Sequence, residues 1–433
     1  KMEIPKKIKI ALLGVGTVGT GVYKILSGQK DEMINKIGAQ LEIVKILVRD
    51  IKKERKGIPG ELLTDSFQEI MDDPQIQIVI EVMGGLEPAR TYILEAFRHG
   101  KHVVSANKDL IAEDGKELFE TAQKYGRDFL FEAAVAGGIP IIRPLKQCLA
   151  GNNLTEVMGI VNGTTNFILT KMTENGMDFA DALKMAQDLG YAEADPTADI
   201  EGLDAGRKMA IMASSAFNTR VTFQDVYTEG ITKISADDIR YAKEMGCDIK
   251  LLGVAKNTPD GIEVRVHPML IPSNHALASV RDSFNAVFVH GDAVGDTMFY
   301  GRGAGELPTG SAVAGDVIDV ARNILHSCNG RIGCTCYKNI PIKKMEEICN
   351  SYFLRIQVLN RPGVLANIAA VFGNNQVSIA QIVQKKAVKD CAELVVITDE
   401  VREKNIRDSV TILEGMSIIK EISSIIRVYN PEE

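Results

Sequence analysis

Apolar runs and amphipathic stretches take turns along the first third of the chain. Residues 7–13 (KIKIALL), 41–48 (LEIVKILV), 76–82 (IQIVIEV), 101–105 and 128–132 read as strands. Helical stretches are expected up to Leu26, over 88–99 and after Lys108. Strands and helices alternating in this way specify a parallel sheet. Further on the two types mix, with strands at 154–161, 248–256, 261–268, 285–290 and 295–300 and helices at 178–189, 202–217 and 311–326. From Tyr352 the pattern becomes strand 352–358, a helix to Phe372, strands 377–385 and 391–398, helix 402–413 and strand 418–427. That β-α-β-β-α-β order is ferredoxin-like. The expected fold is α/β in three parts: a Rossmann-like parallel sheet over 1–135, an α+β domain over 136–330 and a ferredoxin-like domain over 351–433. Residues 330–350 read as the linker.

Length agrees, since 433 residues exceed what one hydrophobic core usually holds. Hydrophobic residues make up 45% and charged residues 25%, the mix of a soluble globular chain. A net charge of −7 without a long basic run argues against a nucleic-acid partner. No apolar stretch reaches membrane-spanning length, and the first residues lead into a strand rather than a signal peptide. Seven scattered cysteines fit a reduced, cytoplasmic protein. Cys334-Thr335-Cys336 is too isolated from His or Asp to bind a metal, no other cluster has zinc spacing, and the cysteine pair is assigned no role.

Chemistry first shows between the first strand and helix, where Gly14-Val15-Gly16-Thr17-Val18-Gly19 fills the pattern G-x-G-x-x-G. Alone the pattern is weak. In this setting the glycines permit a tight turn, and the helix start offers N–H groups to a pyrophosphate. The next strand ends in Arg49-Asp50, followed by Lys52, Lys53, Arg55 and Lys56. An acid at this point suits the ribose of NAD, and an arginine the 2′-phosphate of NADP. Arg49 coming first favours NADP(H); Asp50 leaves NAD(H) open, and a plain solvated loop would carry such charges too. Gly84, Gly85, Ser105 and Lys108 fall at later strand ends, where ligands of parallel sheets bind. The competing reading of Lys108 is a lysine facing water.

Residues 190–208 place five carboxylates in a Pro/Gly-broken loop that runs into helix 202–217. Asp204 and Lys208 are four apart and share a helix face, among apolar Ala205, Met209, Ile211 and Met212. A lysine so placed is partly stripped of water and suited to exchanging protons with a ligand. An average pair at this spacing is only a surface ion pair; the acidic loop and the apolar neighbours favour half an active site. The string G-Y-x-E-x-D-P followed by D-x-x-G-x-D-x-x-R-K resembles the substrate-binding signature of homoserine dehydrogenases, nineteen residues in register. Asn162-Gly163-Thr164-Thr165-Asn166 is similar to that family's N-G-T-x-N turn, and Ser105-Ala106-Asn107-Lys108 to its lysine-bearing strand end.

The resemblance implies an enzyme that reduces L-aspartate 4-semialdehyde to L-homoserine with a nicotinamide cofactor. Lys208 is then the proton donor, Lys108 assists, and Asp204 orients Lys208. Glu193 and Asp204, with Asp199 nearby, would hold the substrate's α-ammonium group. Cofactor contacts are implied for Gly14, Gly16, Thr17, Val18, Gly19, Arg49, Gly84, Ser105, Lys108 and Gly190, and for Gly303 and Gly305 in the glycine-rich turn that returns the chain to the nucleotide half. Residues 132–140 (EAAVAGGIP) read by themselves as a hinge. The resemblance implies a structural sodium or potassium site there, made by Glu132 with the carbonyls of Val135, Gly137 and Ile139.

Arg361-Pro362-Gly363-Val364-Leu365 resembles the turn of an ACT domain, an amino-acid-binding module. Threonine is the expected effector, because homoserine is an intermediate on the way to it. A dimerisation module without a ligand is the competing reading. A cytoplasmic homodimer or tetramer completes the expectation. Two further readings stand beside it. Another ACT-bearing oxidoreductase, such as a hydroxy-acid dehydrogenase, would want an Arg/His pair near the nicotinamide. A non-catalytic nucleotide and amino-acid sensor would have no need of Lys108, Glu193, Asp204 and Lys208.

Overall fold

The computed structural model describes residues 6–388 and 390–430, so the outermost residues of the first and last expected domains lie outside it. The first part of the chain forms β1 (Lys6–Leu13), α1 (Thr17–Gly28), α2 (Lys30–Ile37), β2 (Ala39–Leu47), β3 (Leu63–Thr64), α3 (Phe67–Asp72) and β4 (Ile76–Glu81). It continues through α4 (Ala89–Arg98), β5 (His102–Ser105), α5 (Lys108–Lys124) and β6 (Phe129–Leu130). Next come β7 (Leu154–Ile160), α6 (Gly163–Asn175), α7 (Phe179–Asp188), α8 (Thr197–Ile200), α9 (Leu203–Phe217), β8 (Tyr227–Thr228) and α10 (Ala236–Glu244). Strands β9 (Cys247–Thr258), β10 (Gly261–Pro272), β11 (Phe284–Gly291) and β12 (Gly295–Arg302) lead to α11 (Glu306–Leu325). The chain ends with β13 (Cys349–Leu359), α12 (Val364–Asn374), β14 (Ile379–Val388), β15 (Cys391–Thr398), β16 (Val401–Arg402), α13 (Glu403–Glu414) and β17 (Ile419–Val428).

Two compact units result, one of residues 1–157, 207–226 and 285–340, the other of 158–206, 227–284 and 341–433. In the first, six strands lie in the order β3-β2-β1-β4-β5-β6, every pair parallel. This is the doubly wound order, with the turn after β1 at the point where the strand order reverses. Ile8, Ile10 and Leu12 of β1 share a buried core with Val22 and Leu26 of α1 and with Val313, Val317 and Val320 of α11. Helix α11 comes close enough for this because Gly21 and Gly310 have no side chains. A Cβ on Gly21 would lie 2.0 Å from the Glu306 carbonyl oxygen. The helix begins at Glu306 rather than 311, since Gly305 turns the chain at φ 130° and Pro308 is tolerated in a first turn.

Four short helices escape the periodicity, among them α8 within the Pro/Gly-broken loop. Helix α3 is capped by Ser66, and α10 by a capping box of Ser235 and Asp238, each too short to show a full apolar stripe. Helix α2 is closed by Gly38 in the left-handed region.

In the second unit the strands run β9-β10-β17-β13-β15-β14. The last four form the ferredoxin-like sheet around a core of Tyr352, Leu354, Ile356, Ile368, Phe372 and Leu413. Strand β17 also pairs in parallel with β10 through Met269↔Arg427 and Leu270↔Val428. Of the stretch read as a linker, residues 341–350 fall in this unit: Pro341 accepts from the Ile262 N–H at 2.8 Å, and Lys343 pairs with Glu263 at 2.9 Å. Among the described residues no helix is long and apolar enough to cross a membrane.

Candidate active site

Strand β1 stops at Leu13, and Gly14 turns the chain at φ 95° while its N–H donates to the Leu47 carbonyl at 3.0 Å. Gly19 packs on that turn, where a Cβ would lie 2.3 Å from the Gly14 oxygen. Gly16 faces open space and caps α1 without a side chain, so the first N–H groups of the helix, at Thr17 and Val18, are presented to an anion. Beyond β2, Asp50 accepts from the Lys52 N–H at 2.8 Å, and Arg55 donates to the carbonyls of Asp50 and Lys53 at 2.9 and 2.7 Å. Asp50 and Arg55 thus build the loop, and Arg49 is the exposed cation at the strand end.

Glu81 is the residue that sequence reading missed, because it closes an otherwise apolar strand. It is fully buried. One carboxylate oxygen accepts from the N–H groups of Met83 and Gly84 at 2.8 and 3.2 Å; the other accepts from the Ser105 hydroxyl at 2.7 Å. Burial raises its pKa, and these donors oppose the rise. The Ser105 oxygen accepts from the Asn107 N–H at 3.1 Å, and the Asn107 side chain donates to Gly85 at 2.7 Å and caps α5. One chain of bonds therefore sets Gly84, Gly85, Ser105 and the start of α5, whose first residue is Lys108. The next residue, Asp109, pairs with Arg207 at 3.0 Å, and Arg207 stacks over Phe223. That pair ties the turn bearing Lys108 to the turn of α9 bearing Lys208. Both lysines are half-buried.

In the second unit Asn162 caps α6, its side-chain oxygen accepting from the Thr165 N–H at 2.9 Å. Its amide nitrogen donates to Asp199 at 2.6 Å and to Asp204 at 2.9 Å. Both amide donors are thereby used, and two carboxylates are held on one side chain. The sequence displayed the N-G-T turn without revealing this role, since nothing local shows which acids its amide meets. The Thr164 hydroxyl donates to Tyr191 at 2.7 Å, anchoring the loop that carries Gly190 (φ 78°) and Glu193. Glu193 and Gly190 are exposed, Asp199 is half-buried and Asp204 is buried.

The Glu132 residue belongs to a 3-10 turn rather than to the strand expected at 128–132. Its carboxylate accepts from the N–H groups of Ile141, Ile142 and Arg143 at 2.6, 2.7 and 2.8 Å. A carboxylate offers about four lone-pair positions, so room for one more partner remains. Ala136 and Gly137 bend the buried backbone at φ 56° and 51°. Main-chain carbonyls beside a carboxylate are hard oxygen donors, the ligand type that hard cations take. Gly303 is small for a packing reason: a Cβ on Gly137 would meet its carbonyl at 2.2 Å, and a Cβ on Gly303 would meet the Asn285 amide at 1.9 Å.

Residues 14–132 match the NAD-binding domain of homoserine dehydrogenases, 140–318 the homoserine dehydrogenase domain and 352–415 the ACT domain. The homoserine dehydrogenase of Corynebacterium glutamicum is 47% identical over 97% of this chain and 95% of its own. The chain belongs to the homoserine dehydrogenase family. A homoserine dehydrogenase from Thiobacillus denitrificans superposes with a TM-score of 0.93 at 43% identity, covering 98% of this chain and 99% of its own. A hyperthermophilic archaeal homoserine dehydrogenase in complex with NADPH superposes at 0.62 with 28% identity over 72% of this chain and 97% of its own. As a homoserine dehydrogenase the chain is an oxidoreductase that takes a nicotinamide cofactor and interconverts L-aspartate 4-semialdehyde and L-homoserine. Its ACT domain belongs to a class that binds amino-acid effectors. The readings as another dehydrogenase or a non-catalytic sensor fall away.

Proposed function

We propose that Lys208 donates the proton taken up by the substrate oxygen during reduction, with Lys108 adding positive charge beside it. An alkoxide develops at that oxygen and needs both. The nicotinamide supplies the hydride when bound; the chain supplies alignment and electrostatics. Glu193 and Asp204, with Asp199, take the α-ammonium group, and Asp204 orients the lysine one turn later. The Asn162 amide carries this reading, because carboxylates gathered at 2.6 and 2.9 Å from one nitrogen repel each other and favour a cationic partner.

Gly14, Gly16, Thr17, Val18, Gly19, Gly84, Ser105, Lys108, Gly190, Gly303 and Gly305 receive the cofactor in this reading. NADP(H) is preferred over NAD(H), supported by the exposed Arg49 and by the NADPH complex of the archaeal relative. A sodium or potassium ion at Glu132, Val135, Gly137 and Ile139 has a structural role. Threonine is the effector: Gly363, at φ 84°, caps α12 and leaves its first turn able to accept a carboxylate. The enzyme works as a cytoplasmic homodimer or tetramer. Following NADPH and NADH absorbance with aspartate 4-semialdehyde, and the oxidised cofactors with homoserine, tests the reading. Faster turnover with NADH than with NADPH would overturn the cofactor assignment.

A further inference from the structure

Cys334-Thr335-Cys336 lies in the first unit beside a small cavity of about 20 Å³, lined among others by Lys146, Ser214 and Arg220. That is room for one water-sized molecule. Arg220 donates to the Cys334 sulfur at 3.1 Å, its guanidinium lying over the Phe119 ring. Lys146 sits over the rings of Phe119 and Phe131 and donates to the Gly333 carbonyl at 3.1 Å. Two cations are thus seated on aromatic faces next to one sulfur. The Cys336 sulfur lies 3.8 Å from the Ser214 carbonyl of α9, on the helix that carries Lys208. The hydrogen bond from Cys336, then the charges of Arg220 and Lys146, pull the Cys334 thiol well below its ordinary range; the same partner and burial push Cys336 up. An accessible thiolate between cations is nucleophilic at neutral pH.

We propose that Cys334 is a peroxide-reactive thiolate and Cys336 its resolving thiol, a redox site outside the dehydrogenase reaction. The Cys334 thiolate attacks one oxygen of hydrogen peroxide: an S–O bond forms, the O–O bond breaks, and hydroxide leaves beside Arg220 and Lys146. Cys336, losing its proton, then attacks the Cys334 sulfenic sulfur. The S–S bond forms, the S–O bond breaks, and the departing hydroxide takes the proton as water. Two thiols are oxidised and one peroxide is reduced; an external dithiol reverses the change.

The test treats the full-length enzyme with hydrogen peroxide, then alkylates and maps its peptides by mass spectrometry. A Cys334–Cys336 disulfide is expected in the wild type and is absent from Cys334→Ser. Cys336→Ser should accumulate a sulfenic acid at Cys334 that dimedone captures. Exposed Cys148, Cys328 and Cys349 are internal controls. Near pH 6, iodoacetamide should label Cys334 at least about tenfold faster than these three in the wild type, and Arg220→Gln should narrow the gap. Labelling of Cys334 no faster than the controls, or no dimedone adduct in the Cys336 variant, would overturn the proposal.

Discussion

Lys208 follows Asp204 by one helical turn, and its neighbour Arg207 is tied to Asp109. Lys208→Ala is expected to lower kcat by about 10²–10⁴-fold with cofactor affinity nearly unchanged, as for loss of a positioned acid. Steady-state kinetics and NADPH titration of the variant check this; wild-type turnover would remove Lys208 from the mechanism. Arg49 makes a different kind of prediction. Only NADPH carries the 2′-phosphate, so Arg49→Ala should raise Kd for NADPH by about tenfold or more and leave NADH nearly untouched. Equal weakening of both cofactors would show that Arg49 does not read the phosphate.

At the scale of elements, the contact of α1 with α11 depends on two glycines. Gly21→Ala places a methyl group against the Glu306 backbone, which cannot yield without moving the helix. The expected cost is about 1–3 kcal/mol, seen as a lower Tm. An unchanged Tm would mean that the two helices slide apart freely. Strands β5 and β6 carry a pH dependence. The His102 Nδ1 accepts from the Asp128 N–H at 3.0 Å, so the ring is neutral in the fold, and burial pulls its pKa to about 4. Unfolded histidine titrates near 6.5. Between those values the unfolded chain binds more protons, so stability is full above about 6.5 and falls as the pH drops toward 4. The loss is on the order of 1–3 kcal/mol. His102→Asn keeps an acceptor and cannot charge, so urea midpoints measured across this window should show a shallower slope. The same slope in both proteins would assign the acid loss elsewhere.

At the scale of the whole molecule, the ACT domain is not a detachable appendage. Strand β17 pairs with β10, and Arg427 bridges to Glu229 at 2.7 Å and to Glu403 at 2.5 Å while buried. Deleting 351–433 would expose the β10 edge and leave Glu229 without this partner, so the truncated chain is expected to melt earlier and aggregate. A soluble truncation with unchanged Tm would contradict that. The effector response is better probed in the full chain. Gly363→Asp sets a carboxylate where the threonine carboxylate is proposed to lie, and should weaken threonine's effect by about tenfold with the basal rate unchanged. Retention of the full response to millimolar threonine, or no response in the wild type, counts against threonine binding at this turn.

The Rossmann-like turn, the β-α-β-β-α-β tail and the acid-rich approach to α9 were legible in the sequence because each is local. Glycine spacing sets a turn, the period of apolar residues separates strand from helix, and Asp204 and Lys208 share a face of α9 by helix geometry alone. Contacts between distant residues were not legible. The Asn162 amide joins Asp199 to Asp204, buried Glu81 braces the strand ends, and Asp109 meets Arg207 only because the fold brings separate elements together. The close crossing of α1 and α11 rests on glycines that separately look like ordinary turn or helix residues. Cys334 acquires its setting from Arg220 and Lys146, far from it in the chain. Local pattern sets which element forms and which face it buries; long-range packing decides which polar groups meet, because burial makes an unpartnered polar group costly and selects arrangements that satisfy it.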